Sequence, residues 1–467
     1  MIRLHFLGAN RAVTGSRYCL EIDDLLVMVD CGLFHERQLL ARNWQECPLP
    51  IERLNAMLLT HVHIDHSGLI PRLVDQGFNG PIHCTRASAE LVEVLLRDSA
   101  HIQVEDAKFK QKRHRKEGRH GKFPEVPLYT EAEVVKALPL FQPARYGQTV
   151  QLGPNVTAVF HEAGHILGSA IIEVIIHRGA RDVRVLFSGD LGQKNKPLIR
   201  DPDFFDQADF VVMETTYGDR EHPEHEDIEQ RLEDIINQTI NRGGNVVIPT
   251  FAVERAQDLM FYISRLVHAN RIPPIDVFLD SPMAIDITEI FRHYQDCFDD
   301  ETWQLIVSNE PPLRFPGLHM IRSVADSKEL NDYKKPSVIM ATSGMCTAGR
   351  IKHHLRGNIG RAESTILFVG YQAQGTLGRQ ILDGNPIVRI HGRQWKVKAE
   401  IERIEGFSGH ADRTGLLQWL SHLKTPPKHV FLTHGEEQAS LSFAQLVTDQ
   451  LGWPATVPNY GDVIELA

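Results

Sequence analysis

The segment Thr60-His61-Val62-His63-Ile64-Asp65-His66 decides how this sequence is interpreted. It begins at the end of the run 56–60, which is short and largely apolar and predicts a strand. Four side chains that bind metals therefore lie in one loop at the carboxyl end of a strand. Imidazole nitrogen and carboxylate oxygen suit zinc. His61 and His63, two residues apart, are predicted to reach one ion, and Asp65 and His66 then point towards a second ion.

Further ligands must come from distant segments. His165, Asp190 and His434 each follow a predicted strand, and each has a glycine beside it that lets the backbone approach a crowded site. Singly, each fits a turn-capping or buried polar role; beside the histidine-rich loop, each is predicted to be a ligand. Asp30 ends the predicted strand 25–30, and its carboxylate is expected to orient a ligating imidazole.

Composition narrows the class of protein. The chain has 467 residues, 42% of them hydrophobic, which excludes a disordered chain and a small disulfide-stapled scaffold. With 50 Lys and Arg against 60 Asp and Glu, the net charge of −10 gives no support for a protein that coats nucleic acid. The net charge does not exclude a local basic groove, because the field near a cleft can differ from the sum of charges. The six cysteines form no C-x-x-C pair, which fits thiols in a reducing compartment. The chain shows neither a signal-peptide pattern nor the run of ~18 apolar residues that spans a membrane, so a cytoplasmic protein without a membrane partner is expected.

The pattern of predicted strands and helices changes after Asp190. Before it, short strands alternate with helices predicted over 67–76 and 88–101. After it, a charged helix over 226–242 is followed by strand 246–249, helix 255–268 and strand 276–279. Alternating strands and helices of this kind predict a doubly wound α/β segment. Beyond about residue 395 the pattern returns to mixed strands.

One run of charge stands out. Residues 108–122 read KFKQKRHRKEGRHGK, with eight Lys or Arg and one Glu, a local charge of +7. A solvated, mobile surface loop and an arm that faces nucleic acid explain this run equally well. On the second interpretation Lys112, Arg113 and Arg115 contact phosphate.

The order Asp30, then H-x-H-x-D-H, then His165, then Asp190 resembles the successive motifs of the metallo-β-lactamase superfamily. The resemblance implies an αββα sandwich with a dinuclear zinc site at one edge. One zinc ion would take His61, His63, His165 and a bridging Asp190. The other would take Asp65, His66, Asp190 and His434. Manganese is the alternative metal, because such sites also accept it.

The chain after Asp190 is similar to the β-CASP family of nucleic-acid hydrolases within that superfamily. Glu214 in VMETTYG matches the acidic motif of the family, His410 in GFSGHAD its first histidine motif, and His434 in THGE its second. The implied fold class is α/β: an αββα metallo-β-lactamase sandwich with an inserted doubly wound β-CASP domain. The implied domains are 1–215 and 396–467 for the sandwich and 216–395 for the insert.

A histidine at 410 resembles the RNA-processing branch of the family. It implies a zinc-dependent endoribonuclease that cleaves single-stranded RNA to 5′-phosphate and 3′-hydroxyl ends. Asp65, Asp190, Glu214 and His410 are the implied catalytic residues, with His410 at the scissile phosphate and Glu214 holding its tautomer.

Outside that constellation, Arg255 opens a predicted helix, and Ser343 and Gly344 begin a loop after a strand. All three are predicted to contact RNA phosphate, because helix amino termini present free N–H groups.

Other functions remain open at this point. They are a DNA-directed or broad nuclease, a hydrolase of small phosphodiesters or thioesters, and a non-catalytic partner protein. All the metal-ligand positions that the resemblance implies are occupied by ligand residues, which argues against a non-catalytic partner protein. The inserted domain and His410 argue against a small substrate, which needs neither. A homodimer is the candidate assembly.

Overall fold

The structure is a computed structural model that describes residues 1–179, 181–222 and 227–467. Its strands, in chain order, are β1 (Ile2–Gly8), β2 (Arg17–Ile22), β3 (Leu25–Val29), β4 (Leu54–Leu58), β5 (Ile82–Thr85), β6 (Phe141–Ala144), β7 (Thr149–Gly153), β8 (Val156–Glu162), β9 (Ala170–Arg178), β10 (Arg181–Phe187), β11 (Phe210–Glu214), β12 (Val246–Pro249), β13 (Asp276–Leu279), β14 (Leu318–Met320), β15 (Ser337–Ala341), β16 (Thr365–Phe368), β17 (Ile387–Ile390), β18 (Arg393–Lys396), β19 (Glu400–Arg403), β20 (His429–Thr433), β21 (Ala455–Thr456) and β22 (Val463–Glu465).

The α-helices are α1 (Ile64–Ser67), α2 (Ile70–Asp75), α3 (Arg86–Glu117), α4 (Glu131–Ala137), α5 (Ile228–Asn241), α6 (Arg255–His268), α7 (Pro282–His293), α8 (Asp300–Val307), α9 (Val324–Glu329), α10 (Ile351–Asn358), α11 (Leu377–Leu382), α12 (Arg413–Ser421) and α13 (Glu437–Leu451). Among the described residues, none of these helices is both long enough and apolar enough to cross a bilayer.

The chain forms two compact units. Unit 1 contains Met1–Lys196, Asp201–Glu221 and His410–Ala467, and unit 2 contains Pro197–Arg200 and His222–Gly409.

Unit 1 is built on two seven-stranded sheets. Their strand orders are β22-β1-β2-β3-β4-β5-β6 and β21-β20-β11-β10-β9-β8-β7. A shared core fills the space between them, with Phe6 and Val29 from the first sheet against Phe160 and Phe187 from the second. Sheets that face each other in this way bury alternate residues of each strand, which explains the apolar alternation of the sequence.

The outer face of the second sheet is covered as well. In β11, Phe210 and Val212 belong to the core between the sheets, whereas Val211 and Met213 pack against α12 and α13. Burial on both faces explains why this strand is apolar throughout. On the first sheet α3 packs on β5 and β6. The layers are therefore helix, sheet, sheet, helix, as the predicted αββα sandwich requires.

Unit 2 is organised around a six-stranded sheet in the order β14-β13-β15-β12-β16-β19, with parallel pairing throughout. Val247 and Phe368 of this sheet pack against Ile351 and Leu355 of α10. Parallel strands need crossover helices, so the doubly wound character predicted for this region follows from the pairing.

The structure differs from the sequence expectations in three helices. The region predicted as one helix over 67–76 contains two short helices, since α1 ends at Ser67 and α2 begins at Ile70 with a proline in its first turn. The helix predicted over 88–101 continues to Glu117, so most of the basic run is helical rather than a loop; it ends where Gly118 adopts φ +63°. The helix predicted over 226–242 is α5, and its predicted first residue lies outside the described residues.

The expected break near residue 395 lies later in the structure. β19 pairs with β16 in the parallel sheet, which keeps residues 396–409 with unit 2 rather than with the completion of the sandwich. Residues 216–221 lie with unit 1.

A buried carboxylate holds unit 2 together. Asp280 follows β13 and is fully buried; Arg350 Nη1 donates to its Oδ1 at 2.6 Å, and Ser327 Oγ and His354 Nε2 lie 2.6 Å from its Oδ2. Burial alone would raise the pKa of Asp280, but the hydrogen bonds from His354, Ser327 and Arg350 outweigh it and hold the pKa below its usual value.

We therefore expect Asp280→Asn to destabilise unit 2 by about 3 kcal/mol, because it leaves Arg350 without its buried counter-charge. The matched control is Asp286→Asn, which breaks an exposed pair with Arg322 and should cost less than about 1 kcal/mol. Thermal unfolding midpoints measure both.

A carboxylate whose pKa is depressed in the folded state stabilises the protein fully above its unfolded pKa, about 3.9, and loses this effect as the pH falls. The difference in unfolding midpoint between wild type and Asp280→Asn should therefore be full at neutral pH and shrink below about pH 4. Equal midpoints for the two variants at pH 7 would contradict this assignment.

Candidate metal centre

The strand directions bring the predicted ligands together. β3 and β4 are parallel, and so are β10, β11 and β20. β8 has the same direction as β10, because each is antiparallel to β9. The segments that follow these strands carry Asp30, the histidine-rich loop, His165, Asp190 and His434, and all of them leave their sheets at carboxyl ends. The same edge of the sandwich therefore receives every predicted ligand.

Two glycines let the loops approach. A Cβ on Gly192 would lie 1.6 Å from the carbonyl oxygen of Gly164, so the loops that carry Asp190 and His165 touch through their backbones. A Cβ on Gly32 would lie 1.6 Å from the carbonyl oxygen of Asp65, which brings the end of β3 against the start of α1. Only glycine fits at either contact.

The first group of donors is His61, His63, His165 and Asp190. His63 Nδ1 lies 3.1 Å from His61 Nε2 and 3.2 Å from His165 Nε2. Asp190 Oδ2 lies 3.4 Å and 3.6 Å from the same two Nε2 atoms. Ligands of a tetrahedral zinc at about 2.0 Å are separated by about 3.3 Å, so these separations fit one ion.

The second group is Asp65, His66 and His434. His434 Nε2 lies 3.4 Å from Asp65 Oδ2, and the Oδ1 atom of Asp190 lies 3.2 Å from His66 Nε2 and 3.4 Å from His434 Nδ1. Within the described part of the chain, this Oδ1 is buried and accepts no hydrogen bond. Because a buried carboxylate oxygen is costly without a partner, the arrangement suits a second cation that shares Asp190 with the first.

A supporting shell of hydrogen bonds holds the predicted ligands in place. Asp30 Oδ2 lies 2.7 Å from His66 Nδ1, which leaves His66 Nε2 facing Asp190, as expected for a carboxylate that orients an imidazole. Thr60 donates to Asp30 through both its backbone N–H and its hydroxyl, each at 2.8 Å. Asp30 and His434 hold φ angles of +58° and +47°, which are strained for residues other than glycine.

Sequence reasoning missed several members of this shell. Thr60 also lies 3.2 Å from His61 Nδ1, Ser16 Oγ lies 3.4 Å from His66 Nε2, and Thr216 Oγ1 lies 3.2 Å from His434 Nδ1. Of these three, only Thr60 could have been predicted from the sequence, because it directly precedes His61, the first predicted ligand. Hydroxyl groups are too common in sequences for Ser16 and Thr216 to have been selected.

A third group joins His410 to the centre. His410 Nδ1 lies 2.9 Å from Glu214 Oε1 and 3.9 Å from Asp190 Oδ2, and its ring centroid is 4.5 Å from that of His165. The buried Glu214 also accepts from the backbone N–H of Leu191 at 2.8 Å, next to Asp190. The residue after His410 donates its backbone N–H to the Leu191 carbonyl at 2.7 Å. The ends of β10 and β11 thus position this histidine.

Electrostatics divides the histidines into two kinds. Burial lowers the pKa of His61 to about 3 and that of His63 to about 4, and it lowers the pKa of His165 well below its usual value. These imidazoles are neutral, the form that binds metal. His66 and His434 have raised pKa values, since Asp190 in both cases, with Asp30 or Asp65, outweighs the opposing effect of burial. The carboxylates of Asp30, Asp65 and Asp190 thus favour positive charge where His66 and His434 lie.

The predicted centre is buried except for three side chains. His61, His66, His165, Asp190 and His434 are buried, whereas the side chains of Asp65 and His410 are 22% and 20% exposed. His63 is also half-buried. Solvent therefore reaches one member of each of the three groups, namely His63, Asp65 and His410.

The predicted phosphate contacts in unit 2 have local structural partners. The Arg255 guanidinium lies 5.5 Å from the Phe407 ring and 3.9 Å from the Asp258 carboxylate. Ser343 Oγ accepts from the backbone N–H groups of Thr347 and Ala348. A Cβ on Gly344 would press on the Phe251 ring at 2.8 Å. Contact of Arg255, Ser343 and Gly344 with phosphate stays a prediction.

Three family models match the chain. Residues 13–229 match the metallo-beta-lactamase superfamily, residues 256–381 the Beta-Casp domain, and residues 395–458 the Zn-dependent metallo-hydrolase RNA specificity domain. The predicted recognition and the predicted fold class are confirmed by these matches together with the sheet arrangement.

Curated relatives cover the chain from end to end. A protein of Thermus thermophilus named as a ribonuclease is 35% identical over 461 residues, which is 99% of each chain. The transcription termination factor FttA of Methanocaldococcus jannaschii is 33% identical over 475 residues, which is 100% of this chain and 72% of that protein. The prediction of a metal-dependent nuclease is confirmed at the level of the family.

A solved structure shows the same fold at low identity. A protein of unknown function from Enterococcus faecalis superimposes with a TM-score of 0.56 at 11% identity and 99% coverage of both chains. Because two domain models, the specificity-domain model and near full-length relatives agree with the observed sheets and donor groups, this chain belongs to the β-CASP family of the metallo-β-lactamase superfamily.

Proposed function

We propose that this protein is a zinc-dependent endoribonuclease that cleaves single-stranded RNA and leaves 5′-phosphate and 3′-hydroxyl ends. The observation that supports it best is the sharing of Asp190. This carboxylate lies within 3.9 Å of His61, His66, His165, His410 and His434, so two donor groups and the His410–Glu214 pair converge on it.

The donor sets suit two zinc ions. His61, His63 and His165 with Asp190 would hold one, and Asp65, His66 and His434 with Asp190 the other. Bound zinc would supply a water of lowered pKa and neutralise charge on the phosphate oxygens. Neutral imidazoles in the first group support this assignment, and so does the buried Asp190 Oδ1, which faces His66 and His434 without a well-formed hydrogen bond.

His410 would transfer a proton at the scissile phosphate. Burial lowers its pKa, but the charges of Glu214 and Asp190 outweigh this and raise the pKa to about 9. The imidazole is then protonated at neutral pH, with its Nδ1 held 2.9 Å from Glu214 Oε1. It would donate to the leaving 3′-oxygen, the acid role in phosphodiester hydrolysis. Glu214 acts through His410 as a positioning residue.

The substrate class is proposed from the comparisons. The relative from Thermus thermophilus is named as a ribonuclease, and the RNA specificity model spans both His410 and His434. We propose single strands because an unpaired strand reaches a recessed centre more readily than a duplex does. All six cysteines are free thiols, in keeping with a cytoplasmic location. A homodimer stays a prediction.

The decisive experiment compares one end-labelled single-stranded RNA with the DNA of the same sequence. We expect internal cuts in RNA by the zinc-loaded protein, none after chelation and none in Asp65→Ala. Equal cutting of DNA would replace the proposal with a broad nuclease. If the zinc-loaded protein cut neither polymer, small phosphodiesters or thioesters would become the substrates to test.

Metal content tests the two donor groups separately. We expect wild type to bind two zinc ions per chain, and His63→Ala and Asp65→Ala to bind about one each, because each loses a ligand of one group. Mass spectrometry of the metals in dialysed protein gives the count. His177→Ala is the matched control, since His177 is an exposed histidine paired with Asp182. A count of two in Asp65→Ala would exclude the second group.

The pH profile tests the roles of His410 and Glu214. His410→Ala should lower the cleavage rate by about 10²–10⁴-fold while zinc is retained. An acid is lost as the pH rises through its pKa, and Glu214 raises that pKa. Glu214→Gln should therefore shift the alkaline limb of kcat/KM to lower pH. Glu52→Gln, at an exposed position, serves as the control. A Glu214→Gln profile that falls uniformly without a shift would show that Glu214 acts otherwise.

A further inference from the structure

The carboxyl-terminal part of α3 is a candidate for a second contact with the substrate. We infer that its outward face, formed by Lys108, Phe109, Lys112, Arg115 and Lys116, binds the phosphate backbone of an RNA strand whose cleaved bond lies at the metal centre. The name "basic face" is used below for these five residues. The inference rests on the proposed function and adds to it an anchoring surface away from the donor groups.

The orientation of the helix is fixed by its buried side. Between residues 105 and 117 only Ala107 and His114 are buried, and they are seven residues apart, hence on one stripe of the helix. His114 Nδ1 lies 2.5 Å from Glu125 Oε1, and Gln111 Nε2 donates to the Glu125 carbonyl at 2.6 Å. The segment after the helix is thus held against this stripe. At about 100° per residue, Phe109, Lys112 and Lys116 lie on the opposite side of the helix, and Lys108 and Arg115 flank them.

One of the four cations of the basic face has a carboxylate partner. Lys108 pairs with Glu105, and the neighbouring Arg113 pairs with Glu117 at 2.9 Å. Among the described residues, no carboxylate forms an ion pair with Lys112, Arg115 or Lys116. Lys108, Lys112 and Lys116 follow one another at four-residue spacing, where like charges repel by about 0.2–0.5 kcal/mol per pair. A polyanion along this face would remove that repulsion.

The chemistry of the face favours a single-stranded nucleic acid. Phe109 is 66% exposed beside Lys112, and an exposed aromatic ring among cations offers stacking to a base. A helix that lies on a membrane needs a broad apolar face opposite its charges. Here Phe109 is the single apolar residue of the basic face.

The same helix joins the basic face to the metal centre. At its start, Thr85 Oγ1 and Ser88 Oγ donate to the Gly168 carbonyl at 2.7 Å and 2.8 Å, within the loop that carries His165. Lys112 follows Ser88 by 24 residues, so it lies about 36 Å farther along the helix axis. A stacked strand advances about 3.4 Å per nucleotide, so roughly ten nucleotides separate the two contacts.

The test compares the triple variant Lys112→Gln/Arg115→Gln/Lys116→Gln with wild type, both zinc-loaded. Fluorescence anisotropy measures binding of a roughly 25-nucleotide single-stranded RNA with phosphorothioate linkages, which keep the backbone charge, over a range of KCl. Each lost phosphate contact should reduce the slope of log K against log salt by about 0.7, so the triple variant should lose about 2. The affinity gained between strands of roughly 6 and 25 nucleotides should also be smaller in the variant, since only the longer strand reaches both contacts.

The matched control is Lys328→Gln/Lys334→Gln/Lys335→Gln, which removes three exposed positive charges from unit 2 and should leave the slope unchanged. The inference would be overturned if wild type and the basic-face variant had the same salt slope and gained the same affinity from the longer strand. It would also be overturned if the variant lost binding to anionic lipid vesicles while its salt slope for RNA binding stayed unchanged. If wild type binds and cleaves RNA in these cases, the proposed function stands without the anchor. If wild type neither binds nor cleaves RNA, the proposed function itself fails.

Discussion

The structure of the candidate site depends on one buried carboxylate. Asp190 lies where β10 ends, and both of its oxygens face imidazole nitrogens contributed by four distant segments of the chain. A buried negative charge is stable only with compensation. Protonated histidines provide it in the chain alone, and divalent cations would provide it in the proposed enzyme. The need to neutralise Asp190 therefore explains both the histidine content of these loops and their convergence on one edge of the sandwich.

The convergence of these loops requires backbone conformations that are unfavourable for residues other than glycine. Asp30 and His434 sit at positive φ, and Gly192 and Gly32 allow backbone contacts that no side chain would tolerate. Strain of this kind persists where the surrounding structure over-determines it, and it concentrates at functional sites. The Asp30–Thr60–His66 contacts show how the cost is offset, since a fully hydrogen-bonded carboxylate fixes the ring that faces Asp190.

Recognition of a long substrate poses a different problem from cleavage. The protein has a net charge of −10, yet residues 108–122 carry +7, and the helix α3 presents much of that charge on one face. Local fields rather than net charge govern the approach of a polyanion. An anchor on the same rigid helix that supports the His165 loop would hold RNA near the metal centre without crowding the reacting groups.

The sequence by itself determined the fold class and the order and residue types of the candidate donors. The H-x-H-x-D-H spacing, the glycines beside His165 and Asp190 and the bounds of β12 and β13 could all be inferred, because they depend on local chemistry and periodicity. Tertiary structure decided which hydroxyls complete the shell, such as Ser16 and Thr216, and how far α3 extends into the basic run. Those features depend on contacts between side chains of different segments, 50 residues apart for Ser16 and His66 and 11 residues apart for His114 and Glu125, which no local periodicity encodes.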